Sequence, residues 1–283
     1  AVLMYTQLIE ASNAEYQQLA LSFLARKYYA EDDYSNSNIY YQTLEEVASN
    51  NSLKREAVIR LMYGNERLNT ELAYKYARQV VDLEKTDDWL MSRAKIIIAR
   101  YEFESGNYAK SKNTFEKVVQ LSAYDEGAEA KYYLAYLTYL NDSLALAEKM
   151  IFELAENYSS DYFIAKAFIL LADIYVIQEN DFQAKATLES IIENHEGEDL
   201  VNLARKKWER IAEREVLINK IKEEPQSYIE ISEQEINYDL EEIVIEQVEI
   251  DVNYEVVAPD TLNTIKRDTI EINHEYIDAD EIE

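Results

Sequence analysis

Residues able to do chemistry are few in this chain and do not converge. The two histidines stand apart, His195 in a turn and His274 in an acidic segment, and neither reads as having partners at metal-ligand spacing. There is no cysteine, so disulfides, thiolate zinc sites and thiol redox steps are excluded. The four glycines, Gly64, Gly106, Gly127 and Gly197, are isolated, and no Gly-rich loop exists to cradle a phosphate. Asp278-Ala279-Asp280-Glu281 is acidic enough to attract calcium but lacks the spaced oxygens and central glycine of a dedicated loop. Carboxylate pairs are abundant on helical stretches and therefore uninformative. The reading is of a non-enzyme: no catalytic residues, no cofactor, no metal. A carbohydrate-processing helical-repeat enzyme, with carboxylates among groove aromatics, is the remaining enzymatic alternative.

What positions these side chains is a repeat. Small residues recur at Ala25, Ala99, Ala135 and Ala172, with Leu61 in the second unit, and again at Ser37, Ala73, Ser111, Ala147 and Ala184. Four residues past the second set stand Tyr41, Ala77, Phe115, Ile151 and Leu188, and three further Leu44, Val80, Val118, Leu154 and Ile191. Offsets of three and four keep these positions on one helical face, which must be buried. A period near 37 residues is the mark of stacked helical hairpins. Only 4 Gly and 2 Pro leave little material for strand bulges or long loops, which favours helices joined by short turns.

Five hairpins follow, within residues 14–198, with short polar turns near 31–34, 65–69, 104–108, 141–143 and 179–181. Gly106 is expected to take a positive φ in the third turn. Residues 1–13 read as the end of an upstream repeat, so the array is expected to continue before Ala1. Residues 199–224 read as one amphipathic capping helix, whose basic face at Arg205, Lys206, Lys207, Arg210 and Arg214 either solvates the end of the array or receives an acidic partner. Pro225 ends it.

The acidic balance is uneven. Of a net charge of −28, residues 223–283 carry −18, from 20 acidic and 2 basic residues. Such a surface repels phosphate backbones, which excludes nonspecific nucleic-acid binding and disfavours anionic membranes. No apolar run is long enough for a spanning helix. In 225–283 the period changes to two, as in Val248-Glu249-Ile250-Asp251-Val252-Asn253-Tyr254. That segment is either a disordered acidic tail or one that forms a strand on a partner's sheet edge, with Val248, Ile250, Val252 and Tyr254 as its apolar face.

The spacing of small and aromatic residues, clearest in Leu171-Ala172-Asp173-Ile174-Tyr175 and Ala184 to Ile192, resembles the tetratricopeptide repeat (TPR). The likeness covers roughly residues 1–222. It departs from the family at Leu61, Ser37 and Ser111, in unit length, and in lacking the unit-ending proline. The resemblance implies an all-α, right-handed superhelical array of antiparallel helix hairpins, a TPR-like solenoid, followed here by the acidic extended or strand-forming tail. It also implies a concave surface of first helices that binds proteins. Carried onto this sequence, that surface is Arg26, Tyr29, Asn65, Arg93, Arg100, Phe103, Tyr132, Tyr136, Tyr139 and Asp173. The other reading of Tyr132, Tyr136 and Tyr139 is packing between hairpins. The whole sequence also looks like the C-terminal part of long envelope-associated TPR scaffolds of Bacteroidota. That likeness implies a subunit of a secretion- or motility-type hetero-complex, periplasmic and outer-membrane associated. A soluble, cytoplasmic peptide-binding adaptor is the alternative.

Overall fold

The computed structural model describes residues 2–9 and 13–223. Two compact units divide at Ala130 and Lys131, and the described residues are all-helical and connected by short turns. The first unit contains α1 (Val2–Ile9), α2 (Ala14–Ala30), α3 (Tyr34–Val47), α4 (Asn51–Glu66), α5 (Thr70–Val81), α6 (Asp88–Glu104) and α7 (Tyr108–Leu121). Helix α8 (Asp125–Leu140) crosses the division, and the second unit continues with α9 (Leu144–Asn157), α10 (Asp161–Ile177), α11 (Asp181–Asn194) and α12 (Glu198–Glu223). In the first unit each helix packs on the next in sequence, and in the second α9 packs on α10, α10 on α11 and α11 on α12. This is an all-α architecture of consecutive helices that pack in pairs. The expected apolar tail face at Val248, Ile250, Val252 and Tyr254 lies outside the described residues.

The repeat positions are the core. Ala25, Leu61, Ala99, Ala135 and Ala172 on the first helices are buried, and so are Ser37, Ala73, Ser111, Ala147 and Ala184 on the second. Ser37 donates its hydroxyl hydrogen to the backbone carbonyl of Ala25 at 2.9 Å, so small residues from the two helices of one hairpin meet directly. A larger residue at either place would hold the backbones apart. Tyr41, Phe115, Ile151 and Leu188 fill the next layer, all fully enclosed.

Polar residues start the helices and a left-handed residue turns most of them around. The side chains of Asn13, Asp33, Asn50, Asn69, Asp87 and Asn180 each accept a backbone N–H of the helix that follows. This satisfies donors that have no partner within the helix. Within four hairpins the turn centres on a residue of positive φ: Asp32 at 56°, Gly106 at 73°, Asp142 at 56° and Glu179 at 57°. The residue after each donates its N–H back five positions, to Tyr28, Glu102, Thr138 and Tyr175. This is the Schellman closure of a helix C-terminus. The α4–α5 turn differs: Asn69 N–H bonds to the carbonyl of Asn65, and no residue there takes a positive φ.

Candidate interaction surface

In the first unit the first helices α2, α4 and α6 are tied side to side by ion pairs. The Arg26 guanidinium donates from Nε to Glu56 Oε1 at 2.6 Å and pairs with its other oxygen. Glu56 also accepts the Tyr41 hydroxyl hydrogen at 3.3 Å. The bond from Arg26, opposed in part by burial, leaves the Glu56 carboxyl below its ordinary pKa. One step along, Arg93 reaches Glu66 at 3.1 Å and Glu126 at 3.3 Å, while Arg100 pairs with the same Glu66 and lies 3.2 Å from Glu129. Burial works against the Arg93 charge, but Glu66 and Glu126 outweigh it and hold its pKa above the usual value. Two arginines thus sit among three carboxylates, none of the five side chains more than 26% exposed.

A second set of arginines lies on aromatic faces instead. Arg60 stands over the Tyr29 ring at 4.5 Å and Arg67 over Tyr34 at 5.8 Å. Tyr29 and Tyr34 meet edge to face with centroids 5.3 Å apart. On α4, Tyr63 carries Arg93 above its ring at 5.8 Å and packs near Trp89, 6.5 Å between centroids. Trp89 itself is 58% exposed. The Tyr63 hydroxyl is enclosed without a hydrogen-bond partner, and burial raises its pKa.

The second unit turns the corresponding groups inward. Tyr132, Tyr136 and Tyr139 form a buried stack along α8, with successive centroids 6.2 and 6.1 Å apart. Lys166, itself buried, stands 4.9 Å over the Tyr132 ring. Burial, with Asp173 nearby, pushes the Tyr139 hydroxyl well above its ordinary pKa. Asp173 accepts from Lys207 of α12 at 2.9 Å, both side chains buried.

The ten expected surface residues in the described region therefore divide. Arg93 and Arg100 lie together around Glu66, Arg26 pairs separately with Glu56 on the same helix, and Tyr29 lies beneath Arg60. Phe103 is half-buried against Tyr108, 5.4 Å between centroids. Asn65 is buried and donates its amide N–H to the Leu61 carbonyl at 2.7 Å, one turn back on its own helix. Tyr132, Tyr136, Tyr139 and Asp173 are interior. The basic face of α12 is likewise partly consumed: Lys207 meets Asp173 and Arg214 pairs with Asp181, while Arg205 and Lys206 remain exposed. Sequence reading passed over Arg60, Tyr63, Arg67 and Trp89, although Arg60 and Tyr63 fall at i and i+3 on α4 and Arg67, at i+7, caps its end.

Among the described residues no group of acidic, histidine or cysteine side chains is arranged to hold a metal ion, and no helix is long and apolar enough to cross a membrane. The arrangement offers paired charges and exposed ring faces. No family model matches the sequence, and no curated protein matches it. Among solved structures it is similar to the crystal structure of the P58(IPK) TPR domain, at 16% identity over 76% of this chain, with a TM-score of 0.33. The chain spans about three fifths of the length of that structure's chain, the covered share being 61%.

Proposed function

We propose that this chain is a non-enzymatic scaffold that binds partner proteins through the first-helix surface of its N-terminal unit. The observation that carries the reading is the exposed Trp89 beside Tyr63 and Arg93, next to the arginine–tyrosine pairs of α2 and α4. Tryptophan, tyrosine and arginine dominate binding patches because each presents a large, stiff contact area with a polar edge. The ion pairs across α2, α4, α6 and α8 support it further, since they hold the surface in one geometry before a partner arrives.

The finer reading is a subunit of a cell-envelope complex of the secretion or motility type, located in the periplasm at the outer membrane. It rests on the likeness of the Tyr-, Asn-, Ile- and Glu-rich repeats and acidic tail to envelope scaffolds. The test is a photo-crosslinking side chain at position 89 of the full chain in native cells, with one at exposed Arg205 as reference. Specific adducts to a protein from position 89, recovered with envelope fractions, support both levels. Adducts recovered with cytoplasmic fractions remove the envelope assignment, and none at all removes the scaffold reading.

A further inference from the structure

We infer that Arg60 on α4 and Arg67, the residue that caps its C-terminus, form a two-rung rack for an extended acidic segment of a partner protein, with carboxylates three residues apart. The inference rests on the scaffold reading and names the chemistry of its partner. Six arginines lie on or beside the first helices of the first unit; Arg55 donates to the backbone carbonyls of Glu84 and Lys85, and the other five fall into two classes. Arg26, Arg93 and Arg100 are each neutralised by a carboxylate of a neighbouring helix. Arg60 and Arg67 are exposed and make no ion pair.

The nearby carboxylates are already committed. Glu56, one turn before Arg60, is held by Arg26 and Tyr41. Glu66 is shared by Arg93 and Arg100. Asp32 accepts the Tyr34 hydroxyl at 2.7 Å. In a chain of net charge −28, Arg60 and Arg67 are exposed guanidiniums outside any close ion pair, standing over tyrosine rings, with Arg60 acting only through space on the Glu56 that Arg26 holds. The tyrosine faces restrict their motion, and both side chains are exposed, so their N–H groups can donate to a carboxylate.

Spacing selects the ligand's form. Seven helical residues separate the rungs, about 10 Å along the axis. Three residues of polyproline II chain cover about 9 Å and bring the side chain at i+3 back to the side of i. A peptide in that extended form with glutamates at i and i+3 therefore presents a carboxylate to each rung, whereas an α-helical one brings i and i+3 to about half that separation. Each contact is a charge-assisted pair, and together they favour acidic over neutral segments.

The probe is a synthetic extended peptide carrying two glutamates three residues apart, with a Glu→Gln counterpart, titrated into the full chain by fluorescence anisotropy. The expected results are binding that weakens as salt rises, loss of about tenfold or more in affinity for the Arg60→Gln/Arg67→Gln double variant, and a similar loss for the Gln peptide. Arg205→Gln should leave affinity unchanged, and circular dichroism should give the same melting curve for all variants. Equal binding by the double variant, equal binding of the Gln peptide, or no binding to the unaltered chain overturns the inference. If the double variant still forms the position-89 adducts in cells, the scaffold reading survives and only the acidic rack is lost.

Discussion

Asp173 on α10 and Lys207 on α12 make a buried ion pair, Nζ to Oδ1 at 2.9 Å and to Oδ2 at 3.2 Å. Lys207 is 2% exposed and Asp173 4%. Burial raises the Asp173 carboxyl above its ordinary pKa even with the ammonium beside it. Around the pair lie Ala172, Val176, Leu203, Ala204 and Ile211, part of the apolar cluster that docks α12 on α10 and α11. The cluster supplies adhesion, and the ion pair fixes which turn of α12 faces α10, because any slip strands a charge in that layer.

Removing one partner is therefore expected to cost far more than removing both. Lys207→Met leaves an uncompensated buried carboxylate and should lower unfolding free energy by about 3–5 kcal/mol. Asp173→Leu with Lys207→Met replaces the pair by apolar groups of similar size and should recover most of it. Urea melts of the two variants check this, and equal losses would mean the pair has no strong coupling.

The hairpin framework was legible in the sequence because close packing leaves few choices. Ala25, Ala99, Ala135, Ala147 and Ala184 are read directly as contact points, and all are fully enclosed. The surface was less legible, since a helix wheel gives the face a residue occupies but not what stands opposite. Tyr132, Tyr136 and Tyr139 share a face at i, i+4 and i+7, a pattern equally suited to a binding stripe and to the interior stack they form. Arg93 and Arg100 meet Glu66 27 and 34 positions earlier in the chain, a pairing that depends on helix register and not on local spacing. Lys207 reads as one member of a basic face, and only the position of Asp173 makes it an inward-facing charge.

Repeat equivalence exposes a like-charge contact. Lys131 and Glu153 form an ion pair at 2.6 Å across the α8–α9 hairpin. Thirty-six residues earlier, the same places on α6 and α7 hold Lys95 and Lys117. Burial, and secondarily Lys117, lowers the Lys95 pKa. Lys117→Glu should convert repulsion into the pairing seen at Lys131, stabilising by less than about 1 kcal/mol because position 117 is exposed. A thermal melt at low and high salt distinguishes this, since the gain should shrink as salt rises.

Glu179 occupies the left-handed turn position that Gly106 fills in the third hairpin, at φ 57°. A Cβ there is strained, and unlike Asp or Asn, Glu has no short side-chain bond that favours the conformation. Glu179→Gly should raise stability by up to about 1 kcal/mol, the relief of strain exceeding the entropy of the freer unfolded chain. Gly106→Glu should do the reverse. Denaturation midpoints of the pair give the sign, and a loss on Glu179→Gly would show that the turn is not strained.

The Arg26–Glu56 pair predicts a pH dependence with a definite sign. The bond from Arg26, then to a lesser degree its charge, lowers the Glu56 pKa below the ordinary value of 4.5. A carboxyl with a lower pKa folded than unfolded contributes stability above the unfolded value, and this is lost as pH falls through the folded value. Below about pH 4.5, unfolding free energy should therefore drop less steeply in Glu56→Gln than in the unaltered chain. Glu56 is partly solvated, so the contribution is small and best read as a difference between the two pH profiles. Parallel profiles would show that the pair does not persist in solution.

Gly64 tests how closely α3 and α4 approach. A Cβ built at Gly64 would lie 2.3 Å from Oδ1 of Asn38, a distance no side chain tolerates without movement. Asn38 is 6% exposed, and its Oδ1 has no hydrogen-bond partner, so it has little room to withdraw and no bond holding it in place. Alanine is the better helix former by about 1 kcal/mol at an interior position, so a free site would gain from Gly64→Ala. Overpacking opposes that gain by about 1–3 kcal/mol, and the net change should be a loss. Asn38→Ala opens the space. If contact with the amide is the cause, Gly64→Ala should become neutral or stabilising in the Asn38→Ala background, a coupling that a double-mutant cycle in urea measures directly. An unchanged penalty in that background would place the obstruction in the α3 backbone itself.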